Sequence, residues 1–200
     1  MKKLLITAAF LICSLTITFA QFSGSGSGTT SDPYKIFYAD QLNQVRNYLN
    51  QEGVVFKLMD NIDLTSWIAS NNPGQGWEPI GVESSPFKGV FDGNGKKLTG
   101  FTINRTTNNV GLFGYISGAT VNDLIIEGNV VGNNYVGAFV GKCASTDNVL
   151  QRLSFTGNVS GNSYVGAIAG RATGTLSDLT VLEKFLEQIM LEDCLDQVVQ

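Results

Sequence analysis

Three copies of a short glycine-bounded line constrain the fold of this chain more than any other feature. The copies read Val110-Gly-Leu-Phe-Gly114, Val136-Gly-Ala-Phe-Val-Gly141 and Val165-Gly-Ala-Ile-Ala-Gly170. Their first glycines lie 26 and 29 residues apart, and a second matching line, at 123–132 and again at 152–161, repeats after 29 residues. A fixed period of this size indicates a repeat architecture, in which one unit cannot bury its apolar face without its neighbours.

The repeat predicts an all-β protein, a parallel β-helix (β-solenoid) of about five coils over residues 54–181. Its strands are short, and corners that contain glycine and asparagine separate them. Equivalent residues recur at a regular spacing, as stacked coils require and as the unlike strands of a sandwich do not. Small residues recur where successive coils must approach closely. The repeat glycines assigned to this structural role are Gly111, Gly114, Gly128, Gly137, Gly141, Gly157, Gly166 and Gly170.

Apolar residues at matching places in the repeats predict ladders that point into the coil. The expected ladders are Val110/Val136/Val165, Phe113/Phe139/Ile168, Leu124/Leu153/Leu179 and Ile126/Phe155/Val181. Complete burial of one valine or leucine in such a ladder contributes about 1.5–3 kcal/mol. We therefore expect the repeat to be a scaffold, and we expect any ligand site on the irregular loop 67–86 or on an exposed coil face.

The first 53 residues divide into three expected segments. Residues 1–20 have a lysine-containing start, an apolar run and a small final residue, which is typical of a secretory signal peptide; lipidation at Cys13 is the alternative. Residues 21–33 are rich in serine and glycine and are expected to form a flexible linker that does not pack. Residues 34–53 are expected to form a short strand and an amphipathic helix over 39–51 that caps the stack.

Residues 182–200 change the pattern again, with apolar residues at helical spacing and acidic residues mostly on the opposite face. This predicts an acidic amphipathic helix that closes the last coil, because repeat stacks need polar-faced ends. The alternative is a divergent or truncated end, since the third repeat stops before its Gly-Asn-Val line. Cys143 and Cys194 follow the expected signal peptide, and nothing in the sequence indicates whether they pair.

The composition excludes several classes of chemistry. The chain has no histidine, which removes Ser-His-Asp and Cys-His nucleophile systems, histidine-bound zinc and imidazole pH switching. Its net charge is −4, so nucleic acid is not an expected partner, because phosphate binding needs a basic surface. The apolar run within residues 1–20 is too short for a membrane anchor. No transmembrane span is expected in the rest of the chain. No cofactor is expected either.

The repeat lines resemble the GLUG motif, a glycine-rich repeat of bacterial surface and secreted proteins. The matching lines are 136–141 and 153–161 with their copies, and the upstream lines 77–81, 87–95 and 98–103 resemble the segment that commonly precedes such repeats. The resemblance covers residues 34–181, and the leader is similar to those of secreted proteins from Bacteroides-like bacteria. It implies a right-handed β-solenoid in an exported, adhesin-like protein. The motif also occurs beside the peptidase part of immunoglobulin A-cleaving enzymes, but a His-Glu-x-x-His helix is impossible without histidine.

Asp92-Gly-Asn-Gly95 is the strongest candidate for chemistry, since a similar turn occurs in polysaccharide-degrading β-helix enzymes. Such enzymes need two carboxylates at a set separation, or an acidic Ca²⁺ site with a lysine or arginine base. Asp123 and Asp178 are the acids that recur in the repeat, and Arg152 stands at the equivalent place between them. We interpret this row as a surface salt-bridge column and 92–95 as a turn. No catalytic residue is assigned.

Three aromatic residues in expected loops or corners are candidate ligand contacts: Trp67, Trp77 and Tyr115. Exposed rings would stack on sugars, whereas buried rings would cover the N-terminal coil. We expect Trp77, which stands near a Pro-Ile pair, to be buried. For Trp67 the sequence favours neither burial nor exposure. The acids around 60–63 follow no calcium-loop spacing, so no metal site is expected.

The sequence therefore predicts a non-catalytic exported surface or adhesin-like module that binds a host or cell-surface protein or glycan. The expected location is extracellular or in the cell envelope, at the outer surface or in the periplasm. Two alternatives stay open: a β-helix carbohydrate-active enzyme (a polysaccharide lyase or hydrolase), and a structural stalk within a larger surface protein. Exposed acids beside a lysine or arginine on one coil face would favour the enzyme, and a flat polar face would favour binding.

Overall fold

A computed structural model describes residues 21–182 of the chain. The elements in chain order are β1 (Tyr34–Ile36), α1 (Ala39–Gln44), a 3₁₀ turn (Val45–Tyr48), β2 (Val55–Leu58), β3 (Ile62–Asp63), α2 (Thr65–Asn71), β4 (Val90–Asn104), β5 (Phe113–Ile116), β6 (Thr120–Val131), β7 (Asn134–Val136), β8 (Val140–Cys143), β9 (Val149–Ser160), β10 (Ser163–Val165), β11 (Ala169–Arg171) and β12 (Thr175–Leu182). The expected signal peptide, and the expected C-terminal helix beyond Leu182, lie outside the described residues.

Parallel strands from successive turns of the chain stack into a β-solenoid. The main sheet has the order β1-β2-β4-β6-β9-β12, and β3 also pairs with β4. The short strands form two further parallel sheets, β5-β8-β11 and β7-β10. Because β6, β9 and their neighbours pair in parallel, each turn returns to the same side of the molecule one strand spacing further along the stack. The predicted solenoid architecture is therefore confirmed.

The solenoid has about three turns, fewer than the five coils expected. The complete turns run through β4–β5, β6–β8 and β9–β11. Before Val90 the chain adds strands to the main sheet, but towards the second sheet it makes only isolated bridges, at Ile80 and Phe87. The prediction was wrong because it counted each upstream apolar run as a coil, although helix α2 and a loop interrupt this part of the chain.

Three of the four expected ladders are present as predicted. Val136 lies between Val110 and Val165 in one of them. Leu153 pairs with Leu124 and Leu179, and Phe155 pairs with Ile126 and Val181. The ladder side chains of the first two turns are almost completely buried, whereas Val165 in the third turn is 42% exposed and Val181 in β12 is 43% exposed. Hydrophobic burial therefore extends from the N-terminal end through the first two turns and decreases at the C-terminal end of the stack.

The fourth ladder is shifted by one residue at its first step only, because the register of Val140 with Ala169 keeps Phe139 opposite Ile168 as predicted. Phe113 pairs with Val140 and not with Phe139, and Val140 in turn pairs with Ala169. The second and third repeats carry one residue more than the first between their glycines. The pairing absorbs this residue at the corner, so alignment on the first glycine placed Phe139 incorrectly. Both phenylalanines are nevertheless fully buried.

The repeat glycines permit close approach of neighbouring turns. A Cβ atom on Gly128 would overlap the carbonyl oxygen of Phe101, and one on Gly157 would overlap the carbonyl oxygen of Gly128. Gly128 and Gly157 pair in register in adjacent strands of the main sheet. Any side chain at these two positions would push the turns apart, which explains why glycine recurs there.

Two rows of left-handed corners in the repeat are formed by residues other than glycine. One corner row has positive φ at Asn109, Tyr135 and Tyr164, and the other has it at Asp123, Arg152 and Asp178. At the upstream turn 92–95, by contrast, asparagine and glycine supply this conformation, at Asn94 and Gly95. Side-chain contacts between turns accompany the less favourable residues: the rings of Tyr135 and Tyr164 stack with centroids 4.7 Å apart. Such contacts offset part of the cost of the left-handed backbone.

Residues 22–35 pack against the protein, contrary to the expected linker that does not pack. Phe22 is only 4% exposed, and its ring centroid lies 4.8 Å from that of Tyr34. The backbone N–H of Val55 donates a hydrogen bond of 2.9 Å to the carbonyl of Gly28. The prediction relied on the serine and glycine content of the segment. It did not account for Phe22, whose buried ring anchors the start of the segment.

The expected helix over 39–51 is shorter in the structure, because α1 gives way to the 3₁₀ turn at Val45. Its predicted apolar face is buried at Leu42 and Val45. The expected loop from Trp67 is also partly wrong, since helix α2 covers Thr65–Asn71. The capping role assigned to α1 stays a prediction. No helix within residues 21–182 is long and apolar enough to cross a membrane.

The close approach of turns at Gly128 can be tested by substitution. We expect Gly128→Ala to lower the free energy of unfolding by about 1–3 kcal/mol, because the added methyl group must displace a neighbouring strand. Gly118→Asn is the matched control, since a Cβ there meets no atom within 4 Å and its φ of 67° suits asparagine. Urea unfolding measures both. Equal midpoints for the two variants would contradict this packing.

The burial of Cys143 generates a second prediction. Burial raises the pKa of its thiol to about 11, so little reactive thiolate is present at pH 8. In a chain carrying Cys13→Ser and Cys194→Ser, Ellman's reagent should label Cys143 at least about 100-fold more slowly in the native state than in guanidinium chloride. The native rate should rise with pH towards 11. Equal native and denatured rates would show that this part of the core is open.

Candidate ligand-binding groove

An open groove of about 480 Å³ lies where the β1–α1 connection, strand β3 and helix α2 meet. Aromatic, acidic and small polar residues line it: Phe37, Tyr38, Ala39, Asp40, Asn61, Ile62, Asp63, Ser66, Trp67, Ser70 and Asn71. A concave surface that combines aromatic rings with a few polar groups is typical of ligand sites. The groove lies at the irregular N-terminal end of the stack, outside the repeats.

Trp67 is held in place by contacts on two sides. Its indole N–H donates a hydrogen bond of 2.7 Å to Oδ1 of Asp40. Its ring centroid lies 5.3 Å from that of Trp77, which is fully buried. Trp67 itself is half-buried, so part of its ring is accessible from the groove. Its side chain is therefore ordered before any ligand arrives, which lowers the entropy cost of binding.

Asp63 connects the groove to the start of helix α2. Its Oδ1 accepts a hydrogen bond of 2.6 Å from the Thr65 hydroxyl and one of 2.9 Å from the Thr65 backbone N–H. The hydroxyl bond, and after it the backbone bond, lower the pKa of Asp63. The carboxylate is therefore ionised at neutral pH and bonded to the first turn of the helix that carries Trp67.

Phe37 and Tyr38 form the exposed aromatic part of the groove, with 41% and 52% of their surfaces accessible. The chain enters helix α1 here, and the backbone N–H of Phe37 donates a hydrogen bond of 2.8 Å to Oε1 of Gln41. Gln41 is buried at 3% exposure. This buried amide fixes the backbone that presents the two rings, so they are placed by the fold and not by a loose loop.

Of the three aromatic residues predicted as ligand contacts, the structure brings only Trp67 to the groove. Trp77 is fully buried and donates its indole N–H to the carbonyl of Leu112 at 3.2 Å, as the burial expectation required. Tyr115 is 7% exposed, and its hydroxyl donates to Glu83 at 3.3 Å. Because the rings of Trp77 and Tyr115 are covered by protein, they are not available to stack on a ligand.

Sequence reasoning missed Phe37, Tyr38 and Asp40 as groove residues. The pattern placed the first two in a strand and Asp40 at the start of a helix, each in a structural role. The sequence did contain one signal: the aromatic pair Phe37 and Tyr38 stands close to Asp40 at the start of the predicted helix. The pairing of β1 with β2 places this segment, and the pairing of β3 with β4 places the strand that leads to Trp67. Neither pairing has a signature in the local sequence.

The Asp-Arg-Asp row is partly a salt-bridge column, as predicted. Arg152 donates to both oxygens of Asp123, from Nε at 2.5 Å and from Nη2 at 2.6 Å. This pairing lowers the pKa of Asp123, and the hydrogen bond to Asp123 raises the pKa of Arg152. Asp178 acts on Arg152 only through its charge. A carboxylate that is paired in this way is poorly suited to act as a general acid.

Asp92 and Asn61 also have structural partners. Asp92 pairs with Lys57 at 2.9 Å and accepts the backbone N–H of Asn94 at 2.7 Å, which fits the turn interpretation of 92–95. Asn61 accepts the backbone N–H of Lys97 at 2.9 Å. Within residues 21–182 there is no cluster of three or more His, Cys, Asp or Glu side chains suited to a metal ion.

The chain is similar to two proteins of known sequence that are much longer than itself. A predicted Gly-rich membrane protein of Evansella cellulosilytica is 44% identical over 122 residues, and halomucin of Haloquadratum walsbyi is 32% identical over 125 residues. Both alignments cover 60% of this chain, but they span 14% and 1% of the relatives. No family model and no solved structure matches the chain. In each relative the similar region is thus a small part of a larger protein.

The role of Asp63 at helix α2 predicts a pH dependence of stability. Its folded-state pKa lies below the ordinary value of 3.8, so its contribution is present above that value and is lost as the pH falls through the folded-state pKa. Asp63→Asn keeps an oxygen acceptor but loses the charge. We expect the wild type to have the higher urea midpoint at pH 7, and the difference to shrink as the pH falls below 3.8. A difference that stays constant with pH would contradict this role.

Proposed function

We propose that this protein is a surface-displayed, non-catalytic β-solenoid module that binds a protein or a glycan through the groove formed by residues 37–71. The observation that carries the proposal is the concentration of accessible aromatic surface in one concave place. Phe37, Tyr38 and Trp67 line the same groove, whereas the ladder side chains of the first two turns are buried. The turns then act as a support that presents the groove.

Display at the surface is supported by two independent observations. Residues 1–20 have the charge and apolar pattern of a secretory signal peptide. One relative is described as a membrane protein, and this chain aligns with a small part of it. A repeat module that recurs inside much longer chains is well suited to hold a binding site away from its attachment point. We also propose that these repeats are of the GLUG type, which the lines at 136–141 and 153–161 resemble.

The proposal is non-catalytic because the candidate acids are engaged in ion pairs. Asp123 is engaged with Arg152 and Asp92 with Lys57. Hydrolysis of a glycosidic bond by two carboxylates needs one of them to carry a proton near neutral pH. The pKa of Asp123 is shifted in the opposite direction. Asp123, Arg152 and Asp178 do lie together on one coil face, the arrangement that would favour the enzyme. Because Arg152 pairs with Asp123, the carbohydrate-active enzyme nevertheless stays the alternative.

Binding through the groove can be tested on a panel of glycans and surface proteins. For any ligand that the wild type binds, we expect Trp67→Ala and Tyr38→Ala each to weaken binding by at least about tenfold, because aromatic contacts dominate such sites. Tyr164→Ala is the matched control, since Tyr164 is 60% exposed but does not line the groove. An equal loss in the control, or no loss in the groove variants, would contradict the proposal.

Two accompanying measurements test the other parts of the proposal. External protease should degrade the protein on intact producing cells if it is displayed at the surface. Release of reducing ends from polysaccharides should not exceed the blank, and activity that Asp123→Asn or Asp92→Asn abolishes would establish the enzyme alternative instead. Both variants keep the shape of the side chain, so a loss of activity would report the charge.

A further inference from the structure

The groove combines aromatic faces with negative charge. Asp40 and Asp63 line it together with three aromatic rings, and both acids are exposed. None of the described residues that line it is a lysine or an arginine. Aromatic faces attract cations through their quadrupole, and two carboxylates at the same surface add to this attraction. A positively charged group therefore matches the groove better than a neutral or anionic one.

Each carboxylate has an oxygen that the fold does not use. The hydrogen bonds that described residues make to Asp40 and Asp63 all go to Oδ1, from Trp67 in one case and from Thr65 in the other. The Oδ2 atoms can still accept hydrogen bonds from a ligand. Because Oδ1 is already bonded, each carboxylate is held in orientation, so an incoming donor meets acceptors with little freedom left to lose.

The protein already contains one cation placed on an indole ring. The guanidinium carbon of Arg46 lies 5.8 Å from the ring centroid of Trp77, and Nη1 of the same residue lies 3.4 Å from a carboxylate oxygen of Glu78. The neighbouring indole, Trp67, has the carboxylate of Asp40 beside it but no such cation among the described residues that line the groove. The groove thus offers an indole ring and a carboxylate, as Arg46 finds at Trp77 and Glu78, and a cation from a ligand can lie between them.

We propose that the groove binds an arginine side chain of a partner protein. The guanidinium would stack on the accessible ring of Trp67 or Tyr38 and donate hydrogen bonds to the Oδ2 atoms of Asp40 and Asp63. Arginine fits better than lysine because its planar group both stacks on aromatic faces and binds carboxylates with several donors. This inference rests on the proposed binding function of the groove and names the chemistry of its ligand.

A pair of matched peptides tests the charge requirement. We would titrate the full chain with acetylated, amidated tetra-arginine and with the corresponding tetra-citrulline peptide, which has a similar shape but no charge. The chain has two tryptophans, of which Trp77 is buried against Trp67, so a fluorescence change that the Trp67→Ala variant lacks reports on the groove. We expect the arginine peptide to bind at least about tenfold more tightly than the citrulline peptide.

Charge-removing variants separate the groove from the general negative charge of the protein. Asp40→Asn and Asp63→Asn keep the Oδ1 acceptors for Trp67 and Thr65, so the local fold should survive, and circular dichroism checks this. Together they should weaken binding of the arginine peptide by at least about tenfold. Asp147→Asn is the control, because Asp147 is an exposed acid that does not line the groove, and it should leave the affinity unchanged.

The outcomes distinguish this inference from the proposed function on which it rests. Equal affinity for the two peptides, or an equal loss in the Asp147 control, would overturn the arginine site. If the Trp67→Ala substitution still abolishes binding of a neutral glycan, the groove remains a ligand site and only the cationic ligand is wrong. If groove substitutions affect no ligand at all, both the arginine site and the binding function fail.

Discussion

The close stacking of parallel strands from successive turns is the constraint on which the rest of this structure depends. Strands β4, β6, β9 and β12 lie in one parallel sheet. Their register is regular except for two shifts in the pairing of β4 with β6. Glycine is required where the backbones meet, as at Gly128 and Gly157. The apolar ladders then fill the interior of each turn with valine, leucine and phenylalanine. An interior built in this way has little freedom to vary, because every side chain on a ladder must fit against the turns on both sides.

This constraint explains why the candidate groove lies at the N-terminal end of the solenoid. Between strands β3 and β4 the chain leaves the regular path, forms helix α2 and returns, so side chains there need not repeat. Trp67 lies in this irregular part, and Asp40 in α1 and Asp63 at the end of β3 lie beside it in the groove. The buried Trp77, which contacts Trp67, belongs to the core. The groove therefore combines variable chemistry with rigid support, as binding sites on repeat scaffolds require.

The repeat made the architecture predictable, because regular spacing at 26 and 29 residues directly reflects strand pairing. The number of turns was not predictable from apolar runs, since a strand that pairs on one sheet and a complete coil have the same local pattern. Likewise, Phe22 looked like part of a flexible segment until its contact with Tyr34 was known. The groove depended on long-range pairing of β3, so of its aromatic rings only Trp67 could be anticipated. Side-chain composition alone does not encode such pairings.

The most direct test of the account is hydroxyl-radical footprinting of the protein with and without a bound partner, read by mass spectrometry. The account predicts that the partner protects Phe37, Tyr38 and Trp67, while the exposed Tyr164 on the last turn is labelled equally in both states. Protection of the coil faces between residues 110 and 170, with full labelling of the groove, would contradict it. The turns would then be the binding surface, and the irregular N-terminal end would be the support.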